Sequence, residues 1–215
     1  MHRQNTIFVS LLLILAVAIV AAGYAGGTGP FGIISMGISR LTSGNPMIPS
    51  RTLVTESKAP AAPEIADGLW VNSEPLTLKS LRGRVVVIEF WTFGCYNCRN
   101  TLPFVKNWHD RYSDKGVTVI GVHSPEFDEE RNIDNLRREV AELDIHYPVV
   151  SDNDFSTWKA YEVAAWPTLF VLDKQGRVRW THVGEGAYDA TEQVIRKLLA
   201  EEDPRGETGE SKMEP

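Results

Sequence analysis

Cysteine is scarce in this chain: 215 residues carry two, Cys95 and Cys98, three positions apart. A disulfide framework that staples a small secreted fold uses four or more at wider spacing. A ribbon-type zinc site needs a second Cys/His pair, and there is no second Cys-x-x-Cys. The pair therefore points to chemistry rather than scaffolding. Basic runs and stripes are also missing, and the net charge is -6, which argues against a general nucleic-acid binder. Mild acidity serves solubility and says little about partners. No internal repeat is present.

Long apolar runs are lacking too, with one exception. Residues 7–22 are apolar apart from Ser10, and no charge occurs between Arg3 and Arg40. As a helix this run is about 24 Å long, and extended to Gly27 it reaches about 30 Å, the thickness of a bilayer core. Arg3 and the α-amino group place residues 1–6 in the cytoplasm and everything after 7–27 outside. The segment reads either as an uncleaved transmembrane anchor or as a signal peptide, for which Gly23 and Ala25 are suitably small. No cysteine follows it, so a lipid-modified N-terminus is not expected. Residues 28–59, rich in Gly, Ser and Pro, read as a flexible tether, with 31–38 resting on the membrane surface. Residues 202–215 read as a disordered tail.

What remains, residues 60–201, has the composition and length of one soluble domain; hydrophobic residues make up 43% of the whole chain and charged residues 23%. Residues 85–91 form a nearly continuous apolar run, as in a central strand covered on both faces. Leu102, Val105, Trp108 and Tyr112 recur at helical spacing, with a stop expected at Gly116 and a kink at Pro103. Residues 117–122 make a second strand, and Ile133, Leu136, Val140 and Leu143 line one face of another helix. Residues 168–172 and 178–182 form a hairpin, and Asp189 with Glu192 resembles a capping box opening a last helix. This order predicts an α/β layer fold with helices on both faces of one sheet.

The Cys95-Tyr96-Asn97-Cys98 segment lies where the buried strand gives way to a helix. A helix N-terminus favours negative charge, lowering the pKa of the first cysteine, and the thiolate is the attacking species in disulfide exchange. Glu89 falls inside the apolar strand; a buried carboxyl has a raised pKa and could shuttle the proton of the second thiol. A sheet edge or a buried partner would explain Glu89 equally well as packing. Trp166-Pro167 precedes a strand, a position that suits a cis peptide bond presenting the Trp166 backbone to an extended substrate.

Residues 90–98 (Phe-Trp-Thr-Phe-Gly-Cys-Tyr-Asn-Cys), with Pro103 and Pro167, resemble the thioredoxin superfamily. Within it the chain is similar to TlpA-like redoxins and the thioredoxin-like domain of DipZ-type proteins. The resemblance runs from about residue 60 to 200 and includes Gly121-Val122-His123-Ser124-Pro125-Glu126-Phe127 and Gly184-Glu185-Gly186. It implies a thioredoxin fold with a mixed sheet and a helical insertion at about 126–150. It assigns Cys95 as nucleophile, Cys98 as resolving cysteine, Glu89 in place of the usual buried aspartate, and Trp91, Trp166 and Pro167 to the client-binding surface. No cofactor or metal is implied. The expected substrates are extracytoplasmic protein disulfides, with electrons from a separate membrane donor. Tyr96-Asn97 departs from the common intervening pairs, so client and potential do not carry over.

Two rivals share the fold. A peroxidase reading rests on Thr92-x-x-Cys95, but the proline such a motif expects earlier is Ile88. A copper-carrier reading would enlist His123 or His182, but such sites space their cysteines by three residues. Asp152-Asn153-Asp154 reads as a loop and N-cap, and the charged stretch 128–138 as a solvated helix face.

Overall fold

The computed structural model describes residues 53–202. The predicted stub, anchor and most of the tether and tail lie outside the described residues. Among those described, no helix is long and apolar enough to cross a membrane.

Six strands form one mixed sheet: β1 (Trp70–Val71), β2 (Val85–Trp91), β3 (Val117–His123), β4 (Val149–Ser151), β5 (Thr168–Leu172) and β6 (Val178–Val183), in the order β1-β4-β3-β2-β5-β6. β2 runs parallel to β3, and β3 to β4, while β1, β5 and β6 pair antiparallel. Parallel strands need crossovers, and the helices supply them: α1 (Tyr96–Tyr112) joins β2 to β3, and α2 (Ile133–Glu142) lies between β3 and β4. α3 (Ser156–Ala160) precedes β5, and α4 (Tyr188–Ala200) follows β6.

β2 sits at the centre, and all seven of its residues are buried. Side chains alternate between the sheet faces. Val85, Val87 and Trp91 join one core with Leu102, Val105 and Trp108 of α1, Leu136 and Val140 of α2, and Ile195 and Leu198 of α4. Val86, Ile88 and Phe90 join the other, with Ile120, Phe170, Tyr161 and residues of the leading coil such as Ile65 and Leu78. Helices cover both faces, as predicted, but unevenly: three pack on the first face, and one short helix with coil packs on the second.

Several local expectations change. α1 ends at Tyr112 and tightens into a 3-10 turn, Ser113–Lys115, before Gly116 turns left-handed at φ 102°. Pro103 lies inside it, the position at which a kink is expected. The capping box at Asp189 is absent: Ala187, left-handed at φ 52°, precedes α4, and Asp189 lies inside its first turn. The Glu192 carboxylate instead accepts from the Tyr112 hydroxyl (2.6 Å) and pairs with Arg111 (2.8 Å), tying α4 to α1. The end of the expected tether is fixed along β6, where Val54 N–H donates to Arg179 O (2.8 Å) and Glu56 pairs with Arg177 (2.8 Å). Asp152 does cap α3, accepting from Thr157 N–H (3.0 Å) and Trp158 N–H (2.9 Å).

Candidate active site

The strand-to-helix junction places the two cysteines unequally. Cys95 is the N-cap of α1 and only partly buried, whereas Cys98, one turn on, is wholly buried in the core. They form a disulfide with Cα atoms 5.3 Å apart. Cys95 Sγ accepts the Cys98 N–H (3.2 Å), so the sulfur occupies the place of a capping oxygen and one free N–H of the helix end points at it. The turn before it is closed by Cys95 N–H to Thr92 O (3.3 Å) and held from outside by Arg99 Nε to Phe93 O (2.8 Å).

Glu89 points to the same face as Val87 and Trp91, into the core that encloses Cys98. It is fully buried; Tyr147 Oη donates to Oε2 (3.1 Å), and Oε1 has no partner. Burial pushes its pKa from 4.5 up to about 8, against the lowering effect of the Tyr147 bond. Sequence reasoning missed Tyr147, and also Gly121, which sits beside Glu89 in the β2–β3 register. A Cβ at Gly121 would lie 2.8 Å from Trp91 Nε1 and 3.1 Å from the Tyr147 ring, so the glycine makes room for both aromatics.

Of the residues assigned to client contact, Trp91 is corrected: it is fully enclosed, with its ring against His123 (5.4 Å), and offers no surface. Trp166 is half-buried and packs on Trp158 (4.5 Å), and the Trp166–Pro167 peptide is cis. The exposed aromatics beside the disulfide are Tyr96, 76% exposed, and Phe127, 51% exposed. Phe127 lies next to Gly94, since a Cβ there would come 3.6 Å from Phe127 Cδ2.

His123, a candidate copper ligand, is instead buried. It stacks on Phe93 (5.2 Å) with Nε2 3.3 Å from Thr92 Oγ1, and burial lowers its pKa to about 4 despite the nearby Glu130 charge. Among the described residues no group of three or more metal-ligating side chains comes together. The reading of 128–138 as a solvated face fails at Glu130, which is 2% exposed and reaches Gly94 N–H (2.8 Å).

Residues 59–181 match the AhpC/TSA family. The chain belongs to that family. It is 42% identical over 138 residues to protein DipZ of Mycobacterium bovis, a match covering 63% of this chain and 20% of that protein. It is 28% identical over 132 residues to the thiol-disulfide oxidoreductase YkuV of Bacillus subtilis, covering 61% of this chain and 88% of YkuV. A crystal structure of a thiol-disulfide isomerase from Corynebacterium glutamicum superposes with a TM-score of 0.60 at 30% identity, over 66% of this chain and 98% of that one. The chain spans a fifth or less of the length of DipZ and of other curated relatives it matches. At the level of the domain, this AhpC/TSA redoxin has the thioredoxin-like fold of thiol–disulfide oxidoreductases and a Cys-x-x-Cys disulfide between Cys95 and Cys98.

Proposed function

We propose that this chain is a membrane-tethered reductase of protein disulfides outside the cytoplasm, with Cys95 as nucleophile and Cys98 as resolving cysteine. The observation that carries the reading is the asymmetry of the pair: one sulfur only partly buried at a helix N-terminus, the other fully buried on the face of the sheet that holds Glu89. The charged N-terminal flank and apolar run at 7–27 support the tether.

In the reduced protein the Cys95 thiolate attacks one sulfur of a client disulfide. A Cys95–client disulfide forms, the client S–S bond breaks, and the departing client sulfur takes a proton. Cys98 then loses its proton to the Glu89 carboxylate and attacks Cys95 Sγ. The Cys95–Cys98 bond forms and the second client thiol leaves. Two electrons pass from the protein dithiol to the client, and a separate membrane dithiol donor restores the reduced state. The rim formed by Tyr96, Phe127 and Trp166 takes apolar side chains flanking the client cystine, and the backbone at Trp166–Pro167 pairs with an extended client segment.

The direction follows from charge. Stabilising the Cys95 thiolate would make the disulfide a stronger oxidant. Asn97 beside Cys98 is neutral, and Glu89 opposes a thiolate nearby whenever it is ionised, as it becomes at about pH 8; Arg99 works the other way. The scale runs from about −270 mV for thioredoxin to about −120 mV for DsbA, and this pair falls below about −200 mV. Equilibration with glutathione buffers measures it, and a value near that of DsbA would reverse the assignment to oxidase. Peroxide consumption tests the rival peroxidase reading, in which Thr92 would act; its hydroxyl lies within hydrogen-bond distance of His123 Nε2 (3.3 Å).

A further inference from the structure

Glu130 lies 32 residues beyond Cys98 in sequence, in the 3-10 turn Asp128–Arg131 that opens the insertion, yet its carboxylate is built into the redox turn. Oε1 accepts Gly94 N–H (2.8 Å), and Oε2 accepts the N–H groups of Glu126 (2.5 Å) and Phe127 (3.0 Å). All three donors are neutral. The Thr92 hydroxyl, which lies 3.3 Å from His123 Nε2, also favours the charged form of Glu130.

Position 94 is shaped to this carboxylate. A Cβ there would lie 2.6 Å from Glu130 Oε1, closer than a real contact permits. The same insertion reaches the turn a second time through α2, where Glu139 pairs with Arg99 (3.3 Å) and Arg99 holds Phe93 O (2.8 Å). Gly94 is thus tied to the insertion directly and Phe93 through Arg99, and Cys95 is the next residue.

We propose that Glu130 is a positioning residue for the redox pair: its carboxylate clamps the turn that carries Cys95, and its charge keeps the Cys95 thiol less acidic than the helix end alone would make it. The proposal rests on the reading of Cys95–Cys98 as the reactive pair. Burial by itself would favour neutral Glu130, but the bonds from Thr92, Phe127, Glu126 and Gly94 outweigh it and hold the carboxyl below its ordinary range. A fixed negative charge one residue from Cys95 opposes a second one on sulfur and so favours the disulfide. The other charged or titratable groups around the turn are Glu89 on β2, Arg99 on α1, His123 on β3, Glu126 and Glu139 of the insertion, and Glu185 opposite Asn100.

The test uses the full-length chain as wild type, Glu130→Gln, Glu130→Asp and Gly94→Ala. Cys95 alkylation in the reduced protein is followed against pH, and the dithiol is equilibrated with glutathione. In Glu130→Gln the Cys95 pKa should fall by about one unit, and at a pH above the wild-type Cys95 pKa the glutathione equilibrium should move by up to about tenfold toward the dithiol, about 30 mV less reducing. Glu130→Asp keeps the charge, so its equilibrium should stay within about twofold of wild type while thermal stability falls. If Glu130→Gln does not fold, Gly94→Ala decides, because its Cβ displaces the carboxylate and should shift the Cys95 pKa in the same direction. Unchanged Cys95 pKa and equilibrium in the neutral variant, with stability alone reduced, would overturn the proposal. Failure of wild type to reduce insulin would instead sink the reading of the pair, since the Cys95 titration does not depend on turnover.

Discussion

Replacing Glu89 by glutamine should stabilise the domain at pH 8 while slowing its chemistry. The carboxyl is fully buried with a single hydrogen bond, from Tyr147 (3.1 Å), and burial raises its pKa from 4.5 to about 8. At 1.36 kcal/mol per unit, that raise corresponds to about 5 kcal/mol between the protonation states. Because the folded carboxyl holds its proton more tightly than the unfolded one, its contribution is complete below pH 4.5. It is lost progressively as pH rises to about 8, where the folded form finally ionises. Wild-type unfolding free energy should therefore slope downward across this window, by at most about 1.4 kcal/mol per unit.

Glutamine cannot ionise, so Glu89→Gln should flatten that slope. Its gain at pH 8 should be about 2–4 kcal/mol, less than the full figure because a buried amide without partners costs about 1–3 kcal/mol. The same change removes the acceptor for the Cys98 proton, and resolution of a preformed Cys95 mixed disulfide should slow by about 10²-fold near pH 7. Urea unfolding at pH 4.5, 6 and 8, with quenched-flow trapping of the mixed disulfide, measures both. A wild-type curve already flat over this window would refute the assignment of Glu89 as a buried neutral acid. Unchanged resolution kinetics would refute its part in proton transfer.

Three further outcomes are expected. Cys95 should alkylate rapidly in the reduced protein and Cys98 slowly, and Cys98→Ala should accumulate mixed disulfides; mass spectrometry that found Cys98 modified first would reverse the two roles. Gly121→Val should cost about 1–3 kcal/mol, because its side chain would push against Trp91 and Tyr147, and it should alter the pH slope by breaking the Tyr147–Glu89 contact, both read by urea unfolding. A reporter active only outside the cytoplasm, fused after Ala200, should be active, with the protein resisting carbonate extraction; release into the soluble fraction would indicate a cleaved signal, and a cytoplasmic signal would overturn the topology.

The parts of the fold legible in the sequence are those whose cause is local. The run at 85–91 reads as a doubly covered strand because each of its side chains is apolar except Glu89, and the spacing of Leu102, Val105, Trp108 and Tyr112 is that of one helix face. The cysteine pair, the cis Trp166–Pro167 bond and the hairpin are also short-range features. What stayed hidden was set by register and packing between distant segments. Tyr147 is 58 residues from Glu89, and Glu130 is 36 from Gly94. Gly121 gives no sign in sequence that its neighbours are two large rings. The resemblance assigns Trp91 to client contact, but strand alternation turns it into the core. Asp189 and Glu192 had the spacing of a capping box, but Tyr112 and Arg111 take Glu192.

Two buried carboxylates, Glu89 on β2 and Glu130 bonded to Gly94, show why burial alone could not have assigned their roles. Glu89 is fully buried and Glu130 is 2% exposed, so desolvation pushes both toward the neutral form. Their outcomes diverge because of the donors around them. Glu89 lies in mid-strand, where the sheet ladder consumes backbone N–H groups, and only the Tyr147 hydroxyl reaches it, leaving Oε1 bare. Glu130 lies in a tight turn, and it gathers the free N–H groups of Glu126 and Phe127 just ahead of it and of Gly94 in the redox turn. One group is left holding a proton that it can exchange near neutral pH, and the other a charge that it keeps. A proton relay needs the first condition and a fixed electrostatic bias needs the second, so the number of donors each backbone setting leaves free decides which task each residue can perform.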